Sequence, residues 1–488
     1  PQLRARVVGE GGNLGLTQAG RIEYARAGGM INTDFIDNSA GVDTSDHEVN
    51  IKILLGAAVH DGELTMDQRD LLLHEMTDEV AALVLPHNVG QNTVLAAARA
   101  QAASMLHVHG RYLRRLERDG KLRRRLEVLP NDKELAERRA SGVGLTSPEF
   151  SVLLARTKIE SAKEVLASGL PDDAYLHNAL VGYFPEPLRE RYAKHMGSHP
   201  LRREIITTLV VNDMVDSSGI TFGFRLNEET GASGPDVTRA WLVARDVFGM
   251  PDFWAQVQAL DGVVDLSTQI SLLLEGRKLT ERAARWLLNN RRSPFGIQDT
   301  IDYFADGVLA VGSGLPKLLT GLDLEGFEGR RAEYLAGGVP GELANRVAAM
   351  VPAYSAFDIV DIATGAGRGI PETAEVYFDL ADRLQITQLR DRVTALPRDD
   401  RWNTAARSAL RDDLYAAHAA LASDVLKVTG GGTPEERLLR WAERNEAAVV
   451  RATQTLTEIW ESDRFTMATL SVAVRAIRAL VQSGSLPG

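Results

Sequence analysis

The chain has 488 residues, 55 Lys and Arg against 66 Asp and Glu for a net charge of −11, and no cysteine. That acidic balance excludes a general nucleic-acid binder, whose affinity rests on excess basic charge, and the missing thiols exclude disulfides, a thiolate zinc site and a cysteine nucleophile. No run approaches the roughly 18 uncharged apolar residues of a membrane-spanning helix, so no membrane partner is expected, and the cysteine-free composition fits a reducing, cytoplasmic setting.

Arg4 to Val8 reads as a short strand, Gly9 to Asn13 as a turn, and Thr17 to Ala27 as a helix closed by Gly28 and Gly29. Met30 to Ile36 reads as a second strand running into Asp37-Asn38-Ser39-Ala40-Gly41. Ser45-Asp46-His47-Glu48 has the form of a capping box before the apolar face Val49, Ile53, Leu54 and Ala57. Strand, helix, strand, helix is the rhythm of a parallel α/β layer. The opening Pro1-Gln2-Leu3 is neither an initiator Met nor a signal peptide, so the chain is expected to begin inside a domain.

From about residue 64 the pattern turns helical. Thr65 to Gln68 is another capping box, opening a helix that is expected to stop at Leu85 before Pro86. Gln91 to Leu116 reads as one long Ala-rich helix, and Ser147-Pro148 as an N-cap and first-turn proline before Phe150 to Leu166. Further helices are expected at 186–196, 200–216, 235–248, 251–259, 265–275, 279–290, 296–311, 341–351, 371–384, 400–427 and 434–482, the last opened by Thr433-Pro434-Glu435-Glu436. Ile220 to Phe224 is a strand or a helix-to-helix turn, and breaks are expected at Gly142–Gly144, Gly312–Gly314, Gly365–Gly369 and Gly430–Gly432. The resulting fold class is mainly α: a short α/β remnant, then a large all-helical domain. The expected boundaries are 1–60, a helical connection over 61–142, a helical domain over 143–428, and a terminal hairpin or long helix over 429–488.

Neither glycine cluster is a dinucleotide fingerprint: the third glycine falls at Leu14 in one and Ile370 in the other. Asp43 and His47 share a helix face, but nothing near them in sequence completes a metal site. The basic run Arg111 to Arg125, with Leu113, Leu116 and Leu122 forming an apolar seam, reads as a solvated helical face rather than an anion site. The six Trp residues read as core, and the polar stretch Asn212-Asp213, Arg225 and Glu228-Glu229 as the part of the helical region most apt to touch a catalytic lobe.

A resemblance is specific over Val7 to Asn50. Val8 to Thr17 resembles the strand and Glu-Gly-Ala-Asn turn of glutamate dehydrogenases, and Asn38-Ser39-Ala40-Gly41-Val42-Asp43-Thr44-Ser45 resembles their Asn-Ala-Gly-Gly-Val-x-x-Ser. The fuller run from Ile36 to Leu54 is similar to the very large bacterial NAD-linked subclass. The likeness continues at Gly144 to Phe150, Tyr183 to Arg189, His199 to Glu204 and Arg285 to Leu288.

This resemblance implies the C-terminal end of a Rossmann-like NAD-binding domain and a reaction between L-glutamate and 2-oxoglutarate. Asn13 and Asn38 match amides that lie by the nicotinamide ribose and carboxamide, where a group that both donates and accepts is suited. Gly11, Gly12, Ser39, Ala40 and Gly41 are small enough for close approach to the cofactor, Ala40 standing where the family has glycine. Ser45 matches the hydroxyl that receives the distal carboxylate of glutamate. No residues here match the family's lysines, catalytic Asp or phosphate-binding glycines, so the chain alone is expected to be inactive and to need the rest of its polypeptide. A homo-oligomer, tetramer or hexamer, is the expected assembly. The rival reading is a non-catalytic helical scaffold or oligomerisation module.

Overall fold

The computed structural model describes residues 3–397, 401–428 and 430–484, which fold as two compact units, Pro1–Val243 with Leu287–Gln298 and Ala244–Trp286 with Asp299–Gly488. The first unit opens with β1 (Val7–Val8), α1 (Gln18–Arg26) and β2 (Met30–Ile31); the strands pair in parallel, Val7 opposite Met30 and Val8 opposite Ile31. Thr17 caps α1 by accepting the Gly20 N–H. Both strands are shorter than the apolar runs suggested. β2 ends early because extended Thr33 starts a new turn of helix, α2 (Asp34–Asp37), with Asp34 at its positive end.

The next helix, α3 (Ser39–His60), corrects the expected capping box at Ser45. Ser45 lies inside the helix and its hydroxyl donates back to the Gly41 carbonyl at 3.4 Å, while Glu48 pairs with Lys52 one turn on. The serine-to-glutamate spacing occurs here without a chain turn to cap.

The Thr65–Gln68 capping box opens α4 (Met66–Glu75) as expected, but the chain then continues into α5 (Thr77–Ala100) with Pro86 inside it. A proline removes one intrahelical hydrogen bond. Here burial of Val84, Val94, Leu95 and Ala97, with α5 packed against α3 and two helices further on, outweighs that local cost. α5 stops at Ala100, so the expected single helix from Gln91 to Leu116 is broken before α6 (Leu106–Arg118). Then come α7 (Asp132–Ala140) and α8 (Ser147–Leu166), the latter capped by Thr146 with Glu149, one residue earlier than expected. The unit closes with α9 (His177–Tyr183), α10 (Glu186–Arg189), α11 (Ala193–Gly197), α12 (Arg202–Ser218), α13 (Phe222–Thr230) and α14 (Gly234–Val247). Of the stretch Ile220 to Phe224, Ile220 and Thr221 form a helix-to-helix turn after Gly219, whose φ is 100°, and Phe222 to Phe224 already belong to α13. The basic run is largely spent within the unit: Arg111 pairs with Glu228, Arg114 with Asp132, and Arg124 with Glu117 and Asp132.

The second unit is helical throughout its described residues: α15 (Met250–Gln258), α16 (Leu266–Asn290), α17 (Ile297–Leu318), α18 (Gly321–Ala336), α19 (Gly341–Ala353), α20 (Ala356–Ala366), α21 (Ile370–Arg383), α22 (Ile386–Ala395), α23 (Arg401–Val428), α24 (Pro434–Arg444), α25 (Glu446–Ser462) and α26 (Met467–Gly484). α14, α16 and α17 each continue across a unit boundary. α16 is continuous where two helices were expected, α17 runs through the glycines at 312 and 314, and α18, α20 and α22 were not foreseen. The expected stretch 434–482 is three helices, broken at Asn445 and at Asp463, which has φ of 47°. The core gathers Trp286, Phe304 and Phe357. Trp402 is 75% exposed, so it is not core. Among the described residues no single helix is long and apolar enough to cross a membrane; the bent pair α19 and α20 passes that test jointly, yet most of its residues are buried.

Candidate functional site

The loop between β1 and α1 is held by its own buried charges. Asn13 and Leu14 both adopt left-handed backbone, with φ of 57° and 54°, and the Leu14 N–H is turned toward Asp34. Glu10 and Leu14 donate their N–H groups to Asp37 at 2.9 Å and Asp34 at 2.8 Å, and Leu16 donates to Glu10 at 2.9 Å. Arg21 on α1 bridges Glu10 and Asp34, and all three side chains are buried. Burial alone would raise the Asp34 carboxyl, but the Leu14 N–H, the Arg21 charge and the Phe35 N–H outweigh it and hold it below the ordinary range.

This loop meets the start of α3. The Asn38 amide donates to the Asn13 carbonyl oxygen at 3.2 Å, joining side chains 25 residues apart. Asn38 is the N-cap residue of α3 yet makes no side-chain cap to it. Its Oδ1 lies over Gly41, where an added Cβ would sit only 2.6 Å away, so a side chain at 41 would displace the Asn38 amide. At Gly11 and Gly12, by contrast, a Cβ would meet open space, and nothing in the chain accounts for their lack of side chains. Gly11, Gly12, Asn13 and Gly41 are exposed; Asn38, Ser39 and Ala40 are half-buried on the rim. The start of a 22-residue helix adds the positive end of its dipole. Ser45 is exposed on the same helix, beyond Gly41.

Several residues of this constellation carried no obvious signal. From α5, Asn88 donates to the Ile36 carbonyl at 3.0 Å and to Ser39 Oγ at 2.8 Å, and is itself approached by Asn92. Asn32 donates to Asp37 and Asn92 and accepts from Ser147 of α8. His87 lies 2.6 Å from Asp43, whose other oxygen is 3.1 Å from buried His47. Burial would raise the Asp43 carboxyl, but hydrogen bonds from both imidazoles and their charge lower it to about 2. His47 stacks on Tyr183 with ring centroids 4.1 Å apart. The available sign was polar residues 87, 88 and 92 interrupting an Ala-rich helix at one-turn spacing.

The family model for the C-terminal part of glutamate dehydrogenase matches residues 142–479, and that for the catalytic domain of bacterial NAD-glutamate dehydrogenase matches residues 1–98. The chain belongs to the glutamate dehydrogenases. Over 483 residues, 99% of this glutamate dehydrogenase chain, it is 44% identical to the NAD-specific glutamate dehydrogenase of Mycobacterium tuberculosis. It is 40% identical over 485 residues to the protein of that name from Halomonas elongata, and 40% over 483 residues to that from Pseudomonas aeruginosa, again across 99% of the chain. The chain spans 30% of the length of each of these relatives.

Proposed function

We propose that this chain is the C-terminal portion of an NAD-dependent glutamate dehydrogenase, which oxidatively deaminates L-glutamate to 2-oxoglutarate and ammonia. Bound NAD supplies the hydride acceptor. The chain's own residues bind and orient. Asn13 and Asn38 face the nicotinamide carboxamide and ribose, each amide able to donate and accept. Gly11, Gly12, Ser39, Ala40 and Gly41 let the cofactor approach the backbone. Ser45 receives the distal carboxylate, which selects glutamate over amino acids lacking it. In this reading β1 and β2 are the edge of a Rossmann-like sheet completed by preceding polypeptide. That part also supplies the substrate lysines, the catalytic Asp and the phosphate-binding glycines. The helical second unit braces this lobe or joins subunits of a homo-oligomer.

The observation that carries the reading is the Asn38–Asn13 hydrogen bond, which brings two motifs of the resemblance to one exposed rim at a helix start. In the full-length enzyme, Asn38→Ala is expected to raise KM for NAD, and Ser45→Ala to raise KM for glutamate, each on the order of tenfold or more for a lost polar contact. The isolated chain is expected to show no glutamate oxidation. Wild-type kinetics in both variants would overturn the assignment and favour a scaffold.

A further inference from the structure

In the site reading above, Asn38 and the first turns of α3, with Ser39, Gly41 and Ser45, act together, so the start of this helix must hold still. Yet the device that usually fixes a helix start is missing. Asn38, at the N-cap, spends its amide on Asn13 rather than on its own helix. The next two turns are instead gripped from outside by α5. Asn88 donates both to Ile36 O, just before the helix, and to Ser39 Oγ at its first position. One turn on, His87 engages Asp43 at 2.6 Å. Asp43 lies between Gly41 and Ser45 in sequence and is also held by His47, which stacks on Tyr183. Asn92 approaches both the backbone and side-chain oxygens of Asn88, at 3.1 and 3.4 Å, so the Asn88 amide is left with its donor side toward α3.

We infer that His87 and Asn88 of α5 are positioning residues for the cofactor and substrate rim of α3, acting through Asp43 and Ser39. The inference rests on the site reading above. Neither residue needs to touch NAD or glutamate. Their chemistry is that of a supporting shell that fixes the orientation of groups which do. The two contacts reach different turns of α3, so together they restrain both its translation and its rotation about its own axis. A shift of an ångström in such a rim is enough to lower turnover markedly.

The test uses the full-length enzyme. His87→Ala removes the grip on Asp43, whereas His87→Asn places an amide N–H close to where Nδ1 stands. Asn88→Asp keeps the shape of the side chain but loses the donor to Ser39 and Ile36. The expected result is that His87→Ala and Asn88→Asp lower kcat/KM for NAD and glutamate on the order of tenfold or more, with little change in Tm, and that His87→Asn recovers most of the loss. Combined with Asn38→Ala, His87→Ala is expected to add less than its separate effect, since both act on one rim. If Asn38→Ala and Ser45→Ala impair the enzyme while His87→Ala and Asn88→Asp do not, the positioning role is overturned and the site reading stands. If His87→Ala lowers Tm and every kinetic constant together, and His87→Asn restores none of it, the residue is merely structural and the role is overturned. If Asn38→Ala and Ser45→Ala are themselves silent, the site reading fails and this inference falls with it.

Discussion

Replacing Gly41 by alanine separates the stability of the fold from the integrity of the site. Gly41 is in the first turn of α3, where alanine is a better helix former by about 0.5–1 kcal/mol. The new Cβ, however, would lie 2.6 Å from Asn38 Oδ1, closer than real contacts allow, so the amide must rotate away. That rotation breaks the 3.2 Å hydrogen bond to Asn13. An intramolecular hydrogen bond is worth about 0.5–1.5 kcal/mol net, and one this exposed belongs at the lower end. The gain and the loss nearly cancel, so Tm is expected to stay within a few degrees of the parent. Cofactor binding at the proposed site would have no such compensation. An amide swung out of place is expected to raise KM for NAD on the order of tenfold, which corresponds to about 1.4 kcal/mol. Steady-state kinetics of the full-length enzyme at varied NAD, paired with a thermal melt, reads both quantities. A variant with unchanged KM for NAD, in an enzyme that Asn38→Ala does impair, would refute the coupling of Gly41 to the Asn38 amide.

Two further outcomes concern the folded units themselves. Asp358 is buried under Trp286 and Tyr377, which donate to it at 2.7 and 3.2 Å, and burial pushes its carboxyl up from 3.8 to about 6. A carboxyl raised on folding contributes stability present below its unfolded value and lost as pH rises through its folded one, so Asp358→Asn is expected to gain about 3 kcal/mol relative to the parent between pH 4 and 7; urea unfolding of both proteins across that range checks it, and parallel curves would contradict it. In the first unit, Glu149 is fully buried and accepts a forked pair of hydrogen bonds from Arg138, at 2.9 and 2.7 Å, as well as the Thr146 N–H. Glu149→Ala strands that guanidinium in a half-dry site and is expected to cost about 3–5 kcal/mol, measured as a lower urea midpoint; a shift under 1 kcal/mol would show that the arginine is rehydrated.

What the amino-acid sequence decided by itself is what short-range chemistry decides. The capping boxes at Thr65 and Thr433 and the helix closed after Arg26 follow from donors and acceptors within a few residues of one another, so they could be read directly. The mainly helical class follows from apolar spacing in the same way. Tertiary structure overruled local signals where burial was worth more than propensity. Pro86 sits inside α5 because burial of Val84 before it and of Val94, Leu95 and Ala97 after it holds that helix together, and the glycines at 312 and 314 sit inside α17. Ser45 and Glu48 look like a helix start, yet α3 begins at Ser39 because the turn at Asn38 is anchored from elsewhere. The proposed site divides along the same line. Asn13, Asn38 and Ser45 were visible through the resemblance, but the hold of Asn88 on Ser39 and of His87 on Asp43 spans 49 and 44 residues. No local pattern encodes a contact at that distance; only the packing of α5 against α3 brings those groups together.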